Sequence, residues 1–499
     1  MRLIQRAIVM AFLAGVSSVM PSAAQDSKPA TPSAPAVASA PTRLKVGSLD
    51  VAIAWRSRVE SWGFFEGASG DSSYTFPHSL LRVSVGQTRP RVTWSVEASQ
   101  VTLLGLPGEG VAPAPLGQLG LGGSYYASNG GDTTIARVFL KQGFVQFNRL
   151  GRSTLKIGRF EFFDGLDATV PDPVVARVVQ GRVAHRLVSN FGFTAVQRSF
   201  DGAQWRLAKG PHTVNVLAMR PTRGVFQADG MKGLDVDLGY ASYSHTSNGK
   251  KLGSALRVFG IGYMDHRTSV VKTDNRAAAV RAADHDQVSI GSVGGNYVAR
   301  IATSHGPVDV LVWGVGQFGS WGTLTHRAAA MVGEVGWQPT MRFAPWVRGG
   351  YSYGSGDSSA TDNTHGTFFQ LTSTPRPYAR LPFYNMMNNR DAYAIVTLRP
   401  SAKLTLVSEA HHLSLASASD LWYSGGGAYQ PGTFGYAGRP SYGKTGLANV
   451  FDVSGDVIVS PHLSLTLHYG HASGSDVVKG TFTRNASGHL GFVETTVRF

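Results

Sequence analysis

Arg56, Arg58, Arg159, Arg198, Arg206 and Arg348 recur in short runs of alternating polar and apolar residues. A guanidinium stays charged at any working pH and presents a planar fork that binds carboxylate or phosphate through two hydrogen bonds. A row of them along one surface attracts acidic solutes and passes them from group to group. Asp201 and Glu409 sit in the same runs and join the candidate contact set. Arg177, Arg182 and Arg186 crowd a further stretch together with His185. The plainer reading is that these arginines brace a wall, with Glu60, Glu97, Glu334, Glu409, Asp201, Asp452 and Asp456 as partners across strands.

Other chemistries find little support. Ser408 and His411 fall on opposite faces of an extended strand, and the chain has no Gly-x-Ser-x-Gly elbow, so no catalytic residue is assigned. The adjacent pair His411 and His412 also points to opposite faces, which argues against chelation. Asp201–Gly202 and Asp357 read as turn residues, and cysteine is absent. No metal and no cofactor is expected.

The elements that would position the arginines are strands. Charged residues make up only 15% of the 499, glycine numbers 60 and aromatics reach 10%. Amphipathic helical repeats are missing, whereas β-branched and aromatic residues alternate in short runs. The formal net charge is +15. Because the arginines are dispersed over many strands, the excess reads as a positively charged cavity and not as a nucleic-acid patch. Residues 1–24 read as a signal peptide: Arg2 and Arg6, an apolar stretch Ala7 to Met20, then Ser22–Ala23–Ala24. Residues 25–42 form a Pro/Ala-rich periplasmic linker, and 43–499 hold about eighteen strands.

Connections between those strands alternate in length. Short turns, such as 209–210, 400–401 and 460–461, separate long Gly/Ser/Asp/Asn-rich segments at 63–78, 105–132, 162–195, 220–231, 266–285, 355–389, 414–446 and 474–486. Ser320–Trp321–Gly322 is the one short link where a long one is due. The last strand places Val493, Thr495, Val497 and Phe499 on one face and Glu494, Thr496 and Arg498 on the other. Elsewhere Trp55 and Val59 oppose Arg56, Arg58 and Glu60, and Phe343 and Val347 oppose Arg342 and Arg348. The pattern predicts an all-β, transmembrane, antiparallel up-and-down barrel of the Gram-negative outer-membrane type. Arg159 breaks the rule, because alternation puts it with Leu155 and Ile157; a bulge or a rim position would be needed to aim it inward.

Leu155–Lys156–Ile157–Gly158–Arg159–Phe160, followed by Arg198–Ser199–Phe200–Asp201–Gly202, resembles the alginate export family of outer-membrane porins. The likeness returns at Gly354–Ser355–Gly356–Asp357, at Phe383–Tyr384–Asn385–Met386–Met387–Asn388 and from Asp420–Leu421–Trp422–Tyr423 to Gly435–Tyr436–Ala437–Gly438–Arg439. The resemblance covers roughly 150 to 499 and implies an eighteen-stranded monomer that passes a polyanionic uronate through an Arg-rich lumen. Departures lie at Phe160–Glu161, where many members carry Gln, and in the long basic loop 162–195. The expected function is therefore an outer-membrane channel for anionic solutes, acidic polysaccharide or oligosaccharide foremost. A general anion porin or an uptake channel for small acids is the alternative; an adhesin or a barrel enzyme fits less well. Expected partners are outer-membrane lipid and lipopolysaccharide, an anionic saccharide and the barrel assembly machinery reading Phe499. At least one of the loops 162–195 and 355–389 is expected to fold into the lumen and constrict it.

Overall fold

The computed structural model describes residues 44–374 and 380–499. The expected signal peptide and linker lie outside the described residues. One sheet of twenty strands closes on itself. Two of its members, Leu44–Val46 and Thr364–His365, are short additions; the other eighteen form the barrel.

In chain order the barrel strands are β1 (Leu49–Gly63), β2 (Ser73–Thr88), β3 (Val92–Leu103), β4 (Ile135–Leu150), β5 (Ser153–Phe160) and β6 (Phe200–Lys209). Next come β7 (His212–Pro221), β8 (Val236–Asn248), β9 (Leu252–Asp265), β10 (Val288–Ile301), β11 (Val308–Trp321) and β12 (Leu324–Trp337). The circuit ends with β13 (Trp346–Gly354), β14 (Asn389–Ser401), β15 (Leu404–Ser414), β16 (Gly446–Ile458), β17 (Leu463–Gly474) and β18 (Ser487–Arg498). Each pairs antiparallel with its sequence neighbours, and β1 pairs with β18 to close the ring. Closure extends to the last residue: Phe499 N–H donates to Ile53 C=O at 2.9 Å, and Phe499 C=O accepts from Ile53 N–H at 3.0 Å. A closed ring leaves no unpaired edge, which a bilayer interior demands.

Alternation assigns the faces. Trp55, Val59, Val216, Val312, Phe318, Met331, Val335 and Phe451 are exposed on the outside. Their strand neighbours Arg58, Glu60, Ser242, Arg257, Glu334 and Asp452 are buried inside. Leaving one such apolar side chain in water instead of a lipid-like phase costs about 1.5–3 kcal/mol, so an aqueous exterior is excluded.

Several boundaries depart from the sequence reading. β2 begins at Ser73, within the stretch 63–78 read as a long connection, and runs through Pro77. The proline is tolerated there because the β2–β3 ladder stops at His78, while β1 continues to pair past it. Arg342 and Phe343 belong to the turn before β13, where Phe343 has a left-handed φ of 69°, so Phe343 does not share a strand face with Val347. The Trp321-to-Leu324 link is a tight hairpin, and Thr364–His365 adds to the extracellular end of β12.

The long connections carry short helices: α1 (Leu121–Ser128), α2 (Pro173–Val178), α3 (Ala278–Ala283) and α4 (Asp476–Thr481). At the extracellular end their side chains pack inside the barrel. Phe65 meets Phe383 and Phe482 edge-on or tilted at 5.2 and 5.5 Å, and Trp422 packs on Phe482. This internal apolar layer is made by loops covering one another, with the barrel as a collar.

Candidate solute pathway

Loop 161–199 leaves the extracellular end of β5, descends through the lumen to the periplasmic end and returns to β6. Each stage of the descent is tied to the wall. Asp164 and Asp167 meet Arg257 of β9 at 3.5 and 3.0 Å, and Tyr240 of β8 donates to Asp167 at 2.8 Å. Burial pushes the Asp164 carboxyl above the usual range despite Arg257. Asp172 caps α2 by accepting from the N–H groups of Val174 and Val175, with Pro173 at the first helical position. The same carboxylate takes two hydrogen bonds from Arg300 of β10 at 2.9 and 2.6 Å. Arg300 also donates to the carbonyls of Gly249 and Lys250, a periplasmic turn, which fixes how deep α2 sits. Gly253 makes this contact possible: a Cβ there would lie 2.1 Å from Asp172 Oδ2.

Beyond α2 a π-helical turn, Val179–Val183, carries the loop across β11 to β14. Arg182 binds Glu334 of β12 at 2.9 Å, and Arg186 covers the Trp313 ring and lies 3.7 Å from the same carboxylate. Arg348 of β13 joins from the wall, reaching Glu334 at 3.0 Å and pairing with Asp309. Tyr393 donates to Glu334 at 2.7 Å, and Trp346 Nε1 donates to Asp309 at 2.8 Å. One buried carboxylate thus holds loop and wall together, with its charge matched by guanidinia.

The returning arm contacts the opposite wall. Arg58 pairs with Glu494 at 2.9 Å through Nε and with Glu60 at 3.0 Å, and donates to the carbonyl of Phe193. Arg56 donates to the carbonyls of Gly192 and Thr194. His78 and Trp62 also bind Glu60 at 2.9 Å. Nearby, Arg82 bridges Glu97 and Glu161 at 2.6 and 2.9 Å, while Lys141 lies 3.3 Å from Glu161.

The candidate residues therefore separate. Arg56, Arg58, Arg206 and Arg348 point inward, as does Glu409, but Arg58 and Arg348 are sealed in ion pairs. Arg206 donates to the carbonyl of Asp167 at 3.2 Å. Arg198 is not on the lumen surface: it is 1% exposed and donates to the carbonyls of Ala428 and Gly426, joining two loops. Burial lowers its guanidinium to about 10, which leaves it charged at neutral pH. Arg159 and Asp201 are corrected outright. They pair through two hydrogen bonds of 2.7 Å on the outer face, beside the exposed Ile157, near the extracellular rim. No bulge turns Arg159 inward; Gly158 and Phe160 take the inner face, and a Cβ on Gly158 would stand 2.3 Å from the Gly143 carbonyl. Arg177 lies on α2 over the Trp346 ring at 5.1 Å.

A cavity of about 420 Å³ is left between the loop and the wall from β16 to β1, lined by Gln180, Gly181, His185, Arg380, Asp456 and Glu494 among others. Burial lowers His185 to about 4, so it is neutral in this cavity. Nearer the periplasm, about 260 Å³ opens between Asp50, Ser84, Ser95, Glu97 and Gln142. On the extracellular side, about 400 Å³ is lined by Gln118, Ser124, Thr433 and Arg439. Residues 380–383 separate the outer space from the middle one, with Arg380 on one side and Pro382 and Phe383 on the other. Lys156 and Arg380 are inward or lumen-lining bases that the sequence reading passed over. Lys156 lies over the Phe144 and Phe160 rings at 4.9 and 5.5 Å. Neither forms a salt bridge among the described residues. Lys156 alternates with Leu155 and Ile157, which was a usable signal; Arg380 follows irregular loop sequence, which carries none.

In sequence, no curated protein matches this chain. In structure, it is similar to the outer-membrane protein OpdK of Pseudomonas aeruginosa, with TM-score 0.53 and 10% identity over 90% of this chain and 99% of that one. It is similar to a BenF-like porin of Pseudomonas fluorescens, with TM-score 0.56 and 9% identity over 90% and 99%. OccK2 (OpdF) of P. aeruginosa, solved in complex with glucuronate, gives 0.52 and 9% over 90% and 96%. At such identities these likenesses speak for the barrel fold. The family model for alginate export matches residues 122–491, well over half of the chain. With its eighteen-stranded closed barrel, the protein belongs to the alginate export family and is an outer-membrane porin of a Gram-negative bacterium.

Proposed function

We propose that this porin passes acidic saccharides of the uronate class, as monomers or short oligomers, along the wall from β16 to β1. The observation that carries the reading is the middle cavity. It has room for about one sugar ring and carries Arg380, whose guanidinium has no salt-bridge partner among the described residues. Lys156 and Arg206, on β5 and β6, add inward positive charge that no salt bridge cancels among the described residues, whereas Arg56 lies 3.7 Å from Glu494. Asp456 and Glu494 stand against them in the same space, so the expected selectivity is modest. A similar fold has been solved with glucuronate and another with vanillate, both carboxylates. That supports the chemical class, not a particular solute.

A general anion porin is the second reading, favoured by the ion pairs that consume most of the arginines. Liposome swelling separates the two. Glucuronate entering faster than glucose, with inorganic anions not competing, is the result expected for the saccharide pathway. Equal competition by chloride and glucuronate is the result expected for the general porin. Replacing Lys156 and Arg380 with Gln should move the bilayer reversal potential toward cations while the barrel assembles normally. An unmoved reversal potential would remove these two groups from the pathway.

A further inference from the structure

We propose that Glu409, His411 and Asp452 form a binding site for one divalent transition-metal cation of the Zn²⁺ type. His411 is 3% exposed on the inner face of β15, and its Nδ1 lies 2.9 and 3.0 Å from the two oxygens of Asp391. That contact fixes the ring so that Nε2 points away from Asp391, the arrangement in which a carboxylate orients a ligating imidazole. Nε2 is buried without a hydrogen-bond partner, and Glu409 Oε2 stands 3.5 Å from it. Two ligand atoms ~2.1 Å from a tetrahedral metal are ~3.4 Å apart, so this spacing suits shared coordination. Asp452 of β16 is paired directly opposite Glu409, and one ligand atom from each of the three residues lies within 4.8 Å of the others.

One imidazole and two carboxylates offer three N and O donors of the kinds Zn²⁺ binds and leave a fourth position open. His468 supplies a second imidazole nearby, with Nε2 3.6 Å from Asp452 Oδ1. Gly470 keeps the space clear, since a Cβ there would lie 2.3 Å from Asp452 Oδ1. Entry is from the lumen, where the Glu409 side chain is 14% exposed. The N–H of Arg380 donates to Asp452 Oδ2 at 3.2 Å, so a bound cation would also stiffen the support beneath the loop segment that divides the cavities.

The test uses full-length protein in detergent, stripped with chelator and titrated calorimetrically with ZnCl₂, with CoCl₂ absorption as the second readout. The expected result is about one equivalent bound, with visible Co²⁺ bands. His411→Gln and Asp452→Asn should abolish both signals, and Asp391→Asn should weaken binding by roughly 10–100-fold. His412→Gln should leave binding intact, because His412 is exposed on the outer face and bonds Asn449. Heat-modifiable migration shows that each variant has folded. Failure of the wild-type protein to take up a stoichiometric cation would overturn the proposal and leave His411 as a wall group held by Asp391. Equal loss of binding in His412→Gln would overturn it as well.

Discussion

Glu334 accepts from Arg182, Arg348 and Tyr393 while fully buried, so its loss removes the carboxylate that ties the loop guanidinium to the wall in a dry site. Glu334→Gln should destabilise the assembled barrel by about 3–5 kcal/mol, the cost of breaking a buried pair on one side. The check is the midpoint of heat- or urea-driven loss of the fast-migrating band; an unchanged midpoint would show that the pair contributes nothing. A second residue-scale effect concerns pH. Burial, with Asp420 adjacent, raises the Asp357 carboxyl to about 6 in the extracellular loops. Its unfolded value is about 3.9, so the packed loops bind this proton more tightly than open ones do. The stabilisation is complete below about pH 4 and fades as pH rises through about 6. Loop proteolysis should therefore be slower near pH 5 than near pH 8, and Asp357→Asn should remove the difference. The sequence placed basic and acidic residues on inner faces correctly at Arg58, Glu60 and Arg348. It offered Glu60 and Glu334 as bracing partners but not Glu494 and Asp309, which are distant in sequence from Arg58 and Arg348.

At the scale of elements, the descending loop 161–199 is the feature that narrows the lumen. Removing 166–190 and bridging with a short Gly/Ser linker should raise single-channel conductance several-fold while the barrel still closes, since no barrel strand is touched. Unchanged conductance would assign the constriction to other loops. Gly253→Val tests the same element more gently. It should push Asp172 off Arg300 and increase conductance noise without altering strand content, because the added carbons enter the space of Asp172 Oδ2. The expectation that at least one of the two long loops folds into the lumen holds for 161–199. The helix inside 161–199 was also readable in principle, since Asp172–Pro173 is an N-cap followed by a first-turn proline. The depth of its descent was not readable, because that depends on where Arg257 and Arg300 stand on other strands.

Across the whole molecule, the formal charge of +15 overstates the field in the pore. Paired arginines such as Arg58, Arg82, Arg182 and Arg348 contribute little beyond their partners. Anion preference should therefore be weak in about 1 M salt and grow as ionic strength falls toward about 0.01 M, where the Debye length reaches ~30 Å. Bilayer reversal potentials at several salt concentrations measure this, and a cation-selective pore at low salt would show that Asp456 and Glu494 dominate.

Period-2 alternation and the succession of short and long connections determined an outer-membrane barrel of about eighteen strands. They suffice because each strand must present an apolar face to lipid and a polar face to the lumen, a constraint written residue by residue. Alternation likewise placed Arg159 with Ile157, and the structure keeps both outside. What only the tertiary structure decided is which inward charges are free. Arg198 and Arg348 are equally basic in sequence to Lys156 and Arg380, yet loop carbonyls and carboxylates claim the first two. Such pairing depends on strand register and on the path of loops through the barrel, which place distant residues within hydrogen-bonding distance and leave no periodic trace in the chain.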